Sequence, residues 1–342
     1  YSPNPIIQSI EDVPNDNGGR ILITFSGSGY DVIDRTEFYT AEMNVNGNWI
    51  TANFSAPYGD DLYGFFINTL VDSSDVSDGV MEYRIVANMD EGVFISESAF
   101  GYSVDNINPS TPTDLSLTYD ENNVELAWQQ STDSDFHYYE IERYGQPTEY
   151  TTESIFSEPY LDNIYGYKIS TYDYNGNVSN ETAKYVFYRI DLEYGNNLVS
   201  FPILPNGMIS PLELFEMSNC NFNFILGEGV GLFNTSSGWS GNLNNISSVK
   251  SYWLNVMGDC SFDIVIENQD FNDCPVSEIS YGNNLISYTG QPSASIMDAL
   301  GPFSECTQFI LGEGVGLFNT NTGWSGNLNM MSHKQGYWLN IG

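Results

Sequence analysis

The stretch FILGEGVGLFNT, Phe224 to Thr235, returns letter for letter as Phe309 to Thr320, 85 positions later. GWSGNLN (Gly238 and Gly323 onward) and YWLN (Tyr252 and Tyr337 onward) recur at the same spacing. YGNNL opens both copies, at Tyr194 and Tyr281, 87 apart, so a small indel separates it from the rest. Glycines, aromatics and turn residues repeated at one period mean one small unit stacked twice. Each copy reads as a strand (NNLVSF or NNLISY), a short helical stretch (211–217 or 296–300), then several strands ending in YWLN. Pro211 suits a first helical turn after Ser210 as cap. Phe262, Ile264 and Ile266 alternate after the first YWLN, which implies a closing strand. The second copy reaches Gly342 before its equivalent of that strand, which leaves open whether the natural chain continues.

Upstream of the repeat the pattern is alternation without helix periodicity. Ile21, Ile23 and Phe25 fall on one face of a strand, and Asn46-Gly47 marks a tight turn between residues 38–45 and Trp49-Ile50. Residues 81–88 (MEYRIVAN) form another alternating run, and 105–113 (DNINPSTPT) reads as a linker or strand lead-in. Beyond it Val124, Leu126 and Trp128 alternate, then Tyr139, Ile141 and Arg143, then Tyr167, Ile169 and Thr171. Short strands with turn signals every eight to twelve residues predict antiparallel sandwiches. The expected divisions are 1–106, 107–189, 190–272 and 273–342, consistent with the three or four cores that 342 residues support.

Residues 107–189 resemble fibronectin type III domains of bacterial secreted proteins. The likeness rests on Pro109 and Pro112, Trp128, YYEIER (Tyr138 to Arg143), and Leu161 ahead of Tyr167 at the spacing of that family's tyrosine corner. Residues 1–106 resemble it more loosely, through VPNDNGGR (Val13 to Arg20) and Tyr83-Arg84-Ile85, with Phe25 where Trp128 would stand. Residues 192–342 look like the "NLISxP…GEG…GW.G.L…GYWL" modules near the C-termini of bacterial secreted and cell-surface proteins. The fibronectin type III likeness implies spacer or binding modules and no activity, and the C-terminal likeness implies location more than mechanism.

Forty-five acidic residues against nine basic ones give a net charge of −36. Nucleic acid and anionic lipid are excluded as partners, because both need Lys and Arg clusters. No run approaches the ~18 apolar residues of a membrane span, so membrane insertion is not expected. The chain starts at Tyr1 without a leader, as a mature form would. Self-repulsion of this size suits salty or calcium-bearing surroundings, or serves solubility alone. Both readings place the protein outside a cell or on its surface. Cys220, Cys260, Cys274 and Cys306 form no CxxC pair, so two disulfides are favoured over zinc. Three connectivities exist; 220–260 with 274–306 would place one bridge near each copy, and free thiols remain the alternative in a reducing compartment.

Catalytic chemistry has little footing. Glu228 and Glu313, inside the repeated GEG, are the carboxylates the repeat singles out. They are either equivalent functional groups or turn residues held between glycines of positive φ, and the turn is favoured. His137 and His333 stand in different domains, and no nucleophile elbow or phosphate-cradling motif is present. No enzymatic activity and no required cofactor are expected. Trp239 and Trp324, with Asn242 and Asn327 beside them, are candidate sugar-stacking sites weighed evenly against core packing, whereas Trp253 and Trp338 read as core. Asp133, Asp135 and Asp173 are candidate Ca²⁺ ligands, set against solvated loop acids. Asp60-Asp61 and the loop with Asp72, Asp75 and Asp78 are weaker versions.

The sequence therefore predicts an elongated all-β chain: two fibronectin type III-like antiparallel sandwiches, then two tandem small β-rich modules, each with one short helix. Its expected role is a non-enzymatic structural subunit of a bacterial surface layer, filament or appendage, partnered by itself or by other surface proteins. The alternative is a glycan-binding accessory region in adhesion.

Overall fold

Period-two alternation is fully expressed in the first sandwich: Ile21, Ile23 and Phe25 have no exposed surface. The computed structural model describes residues 2–342 except 32–35, 75, 121, 162, 181–182, 269–277 and 291–292. The first sandwich consists of β1 (Ile6–Asp12), β2 (Arg20–Ser26), β3 (Phe38–Val45), β4 (Asn48–Ser55), β5 (Leu62–Asn68), β6 (Met81–Met89), β7 (Gly92–Ile95) and β8 (Ala99–Gly101). One sheet has the order β1-β2-β5 and the other β4-β3-β6-β7, with β8 also pairing β6. The second sandwich repeats this plan with β9 (Ser116–Tyr119), β10 (Asn123–Ala127), β11 (Phe136–Arg143), β12 (Gln146–Thr151), β13 (Ile155–Pro159), β14 (Ile164–Asp173) and β15 (Ala183–Leu192). Its sheets run β13-β10-β9 and β12-β11-β14-β15. Each ladder whose register is described is antiparallel, as the fibronectin type III likeness implies.

Phe25 takes the place Trp128 holds in the second sandwich. Each lies edge-on to the tyrosine of the next strand, Tyr39 and Tyr139, with ring centroids 5.2 Å apart in both cases. The tyrosine corner differs from expectation. The hydroxyl that bonds back to the Leu161 carbonyl (2.8 Å) belongs to Tyr165, while that of Tyr167 donates to the Glu158 carboxylate. Tyr167 is the more deeply buried ring, so its hydroxyl meets an acidic side chain before it can reach the backbone corner.

By contacts the chain divides into two compact units. One is 1–111 with 131–138 and 171–181; the other is 112–130, 139–170 and 182–342. Within the second unit the repeat comprises β16 (Gly195–Ser200), β17 (Met208–Ile209), α1 (Pro211–Glu216), β18 (Phe222–Gly227), β19 (Val230–Thr235), β20 (Gly238–Gly241), β21 (Ile246–Ser247), β22 (Ser251–Val256) and β23 (Cys260–Glu267). The second copy has β24 (Gly282–Ser287), β25 (Ser293–Ser295), α2 (Ile296–Leu300), β26 (Thr307–Gly312), β27 (Val315–Thr320), β28 (Gly323–Gly326), β29 (Met330–Ser332) and β30 (Gly336–Ile341). Both build the same five-stranded sheet, β16-β22-β18-β19-β20 and β24-β30-β26-β27-β28. α1 begins where Ser210 was expected to cap it, and Glu213 completes a capping box.

The alternating strand after the first YWLN exists as β23, but it leaves its own module. It pairs with β15 in eight-residue register, from Tyr185 opposite Glu267 to Leu192 opposite Cys260, and so becomes the fifth strand of a second-sandwich sheet. Phe262, Ile264 and Ile266 point into a core that also holds Val186, Tyr188, Ile225 and Leu254. Burial is therefore continuous across residue 190. The Cys220–Cys260 disulfide ties the segment after α1 to the first residue of β23. Its expected companion is not formed among the described residues: Cys306 is exposed with a free thiol, and Cys274 lies outside the described residues.

Candidate functional site

The repeated glutamates use the hairpin to reach across to the opposite copy. Gly227 pairs with Val230 and Gly312 with Val315, leaving two-residue loops, Glu228-Gly229 and Glu313-Gly314. Only the second glycine of each GEG has positive φ, 71° at Gly229 and 68° at Gly314. Gly227 is needed for room instead, since a Cβ there would sit 3.1 Å from the Tyr252 ring. Glu228 Oε2 accepts the Leu285 amide of the second copy at 3.1 Å, and Glu313 Oε2 accepts the Leu198 amide of the first at 2.8 Å. The turn reading holds, with positive φ at Gly229 and Gly314 and not at Gly227 or Gly312, and the carboxylate has an added use.

This exchange obeys a local two-fold. Val199 bridges to Gln335, and Ile286 to Lys250. Likewise the Ser200 amide donates to the Lys334 carbonyl (3.0 Å) and the Ser287 amide to the Val249 carbonyl (3.2 Å). The two-fold is broken where Gly336 faces Ser251: a Cβ on Gly336 would lie 2.6 Å from that of Ser251. Truncating Glu228 or Glu313 to Ala leaves a buried leucine amide without its charged acceptor. Each is expected to cost about 1.5–3 kcal/mol, read from urea unfolding. Unchanged midpoints in both variants would show that water replaces the carboxylate.

The sugar-site candidates take part in packing and turn closure. Trp239 is half-buried with its ring stacked on Phe215, centroids 4.4 Å apart, and Trp324 packs beside the second-copy core. Asn242 Oδ1 accepts the Gly231 amide and Asn327 Oδ1 the Gly316 amide, at 2.9 and 2.8 Å. These carboxamides hold the β20 and β28 ends against β19 and β27. Trp253 and Trp338, read as core, are half-buried on the face opposite Tyr252 and Leu254. The outer face instead presents a row across four strands: Asn196, Asn255, Phe224 and Phe233 are successive register partners, and Asn283, Asn340, Phe309 and Phe318 repeat them. Phe233 and Phe318 are 47% and 48% exposed, which leaves their faces available. Strict alternation around YWLN did not reveal this, because bulges at Phe222/Phe224 and Thr307/Phe309 shift the phase.

The acidic candidates regroup. Asp133 accepts from the Ser110 amide (2.8 Å) and from the hydroxyls of Ser110 and Ser131, so it laces its loop. Asp105 takes its place: one carboxylate oxygen each from Asp105, Asp135 and Asp173 lie within 4.8 Å of one another, all inside the first unit. Asp173 Oδ1 accepts the Asn175 and Asn177 amides at 2.9 and 2.8 Å. Asp105 accepts from Ile107 N and Asn175 Nδ2, and Asp135 accepts from Asn17 Nδ2. Of the weaker loops, Asp72 is used by the Gly19 amide and Ser103 hydroxyl, and Asp75 lies outside the described residues. Asp60 and Asp61 line a shallow cleft with Ser28 and Asp31.

Burial pushes the Asp105 carboxyl above the ordinary aspartate range, helped by the charges of Asp173 and Asp135. The folded protein then holds this proton more tightly than the unfolded chain. The resulting stability is present below the unfolded value near 3.9 and is lost as pH rises through the folded one. In chelator, Asp105→Asn is expected to flatten the fall of melting temperature with pH just above that value. An unchanged slope would assign it to other carboxylates.

No protein-family model matches the chain, and no curated protein does. Among solved structures it is similar to the FN1–FN3 domains of chicken CNTN1, at 15% identity and a TM-score of 0.25, covering 54% of this chain and 68% of that one. It is also similar to a two-domain fibronectin type III segment of chicken tenascin, at 14% identity and a TM-score of 0.29, covering 53% of this chain and 97% of that one. Among the described residues no helix is long and apolar enough to cross a membrane.

Proposed function

We propose that this chain is a non-enzymatic structural element of the cell exterior, a β array that holds position in a surface layer, filament or appendage. The observation that carries the reading is where the repeat spends its polar groups. Glu228, Glu313, Ser200 and Ser287 join the two copies to each other, and Asn242 and Asn327 close turns. A disulfide and a net charge of −36 fit an oxidising, salt-rich exterior. Electron microscopy of the purified chain across salt and calcium concentrations tests it, with ordered polymers or lattices as the expected result. Dispersed monomers under every condition would remove the assembly role.

A glycan-binding accessory is the second reading, favoured by the twin exposed Phe233 and Phe318, whose rows continue through Phe224 and Phe309 to asparagine carboxamides. Pyranose faces stack on such rings with polar neighbours. Phe233→Ala with Phe318→Ala would abolish retention on a glycan array while leaving the melting temperature within a few degrees. Retention by the double variant would dismiss this surface.

A further inference from the structure

Three carboxylates are gathered in the first unit, and among the described residues none of them has an ion-pair partner. Asp173 is 1% exposed and Asp105 4% exposed. Asp173 Oδ1 is satisfied by two amides, but Oδ2 has neither solvent nor any hydrogen-bond partner. No described Lys, Arg or His forms an ion pair with Asp105, Asp135 or Asp173. A buried carboxylate oxygen with no donor is costly, and buried charges are found paired or on metals. We propose that Asp105, Asp135 and Asp173 form a calcium-binding site, with the orphan Oδ2 of Asp173 as one of its ligands.

The donor set consists of hard oxygens only, which suits Ca²⁺ or Mg²⁺ over softer transition metals. Ligands at 2.3–2.6 Å on opposite sides of Ca²⁺ lie up to roughly 5 Å apart, which accommodates oxygens within 4.8 Å of one another. Mg²⁺, at 2.0–2.1 Å, would need the carboxylates drawn in to about 4 Å and keeps most of its water. Asp135 is half-buried, so water can complete the six to eight ligands on that side. The three residues come from the segment after β8, the loop before β11 and the end of β14, so one ion would knot three separate strands of chain.

Calorimetric titration of the chelator-treated full chain with CaCl₂, in about 0.15 M NaCl to screen diffuse surface charge, should show one saturable site. A Kd near 10⁻⁴ M, the range of extracellular modules, is expected. Asp135→Asn, which keeps a side chain for Asn17 to meet, should weaken it measurably, because calcium affinity follows the charge count of the ligands. Asp133→Asn should leave it unchanged. Hydrogen exchange on the wild type reads the same site without mutation: CaCl₂ should slow the Asn175 and Asn177 amides, and MgCl₂ at equal concentration should not. Absence of saturable binding below about 10 mM, an order of magnitude above that range, would overturn the site. So would equal affinity in Asp135→Asn, or calcium binding that leaves those two amides unchanged.

Discussion

Replacing Cys220 and Cys260 together with serine is expected to cost about 4 kcal/mol. The bridge closes a loop with a sequence separation of 40, and a cross-link of that span removes about this much unfolded-chain entropy. The loss falls in a specific place. Cys260 is the first residue of β23 and pairs with Leu192, so the cystine fixes the start of the ladder that carries Phe262, Ile264 and Ile266 into the shared core. Urea unfolding followed by tyrosine fluorescence should show the second unit unfolding earlier, and amide exchange should rise first along 260–267. If the double variant unfolds within about 1 kcal/mol of wild type, less than the lower end of the usual disulfide contribution, then packing of β23 against β15 suffices alone.

Gly241→Ala and Gly326→Ala should each cost on the order of 3 kcal/mol or more, at the upper end of overpacking penalties. The obstacle is backbone: an added Cβ would lie 2.0 Å from the Gly231 carbonyl oxygen, or 2.1 Å from that of Gly316. Neither carbonyl can retreat, because each also accepts two amides, from Asn242 and Leu243 or from Asn327 and Leu328. Gly229→Ala is the control. Its φ is 71° but nothing lies within 4 Å of the new Cβ, so only the left-handed conformational cost of about 1–2 kcal/mol applies. Thermal melting of the three variants checks the order. Equal losses would mean that φ, and not the close approach, explains the repeated GWSGNLN glycine.

Much of this was legible because it is local. Ile21, Ile23 and Phe25, or Val124, Leu126 and Trp128, announce their faces through spacing alone, and Ser210-Pro211 announces α1. The repeat announced two equal modules. What escaped was the identity of partners distant in the chain. Nothing in β23 says that its neighbour is β15, since an alternating strand fits any open edge of suitable hydrophobicity. The clamp by Glu228 and Glu313 needed the two-fold placement of the copies, and a turn glutamate looks the same without it. Asp105 sat in a Pro-flanked segment read as a linker, while Asp133 had the better local spacing. Only the fold places Asp105 beside Asp173 and turns Asp133 toward Ser110. Trp253 and Trp338 were misjudged on ring size: plain alternation gives the inner face to Tyr252 and Leu254, or Tyr337 and Leu339, and leaves the tryptophans on the outer one.

The excursion of β23 also dictates a schedule. Residues 183–192 leave the ribosome long before 260–267, so a growing chain carries a bare sheet margin until the whole first module has been made. During that interval the margin invites any stray extended peptide. The cystine then acts as a latch that shuts only after its owner has returned home.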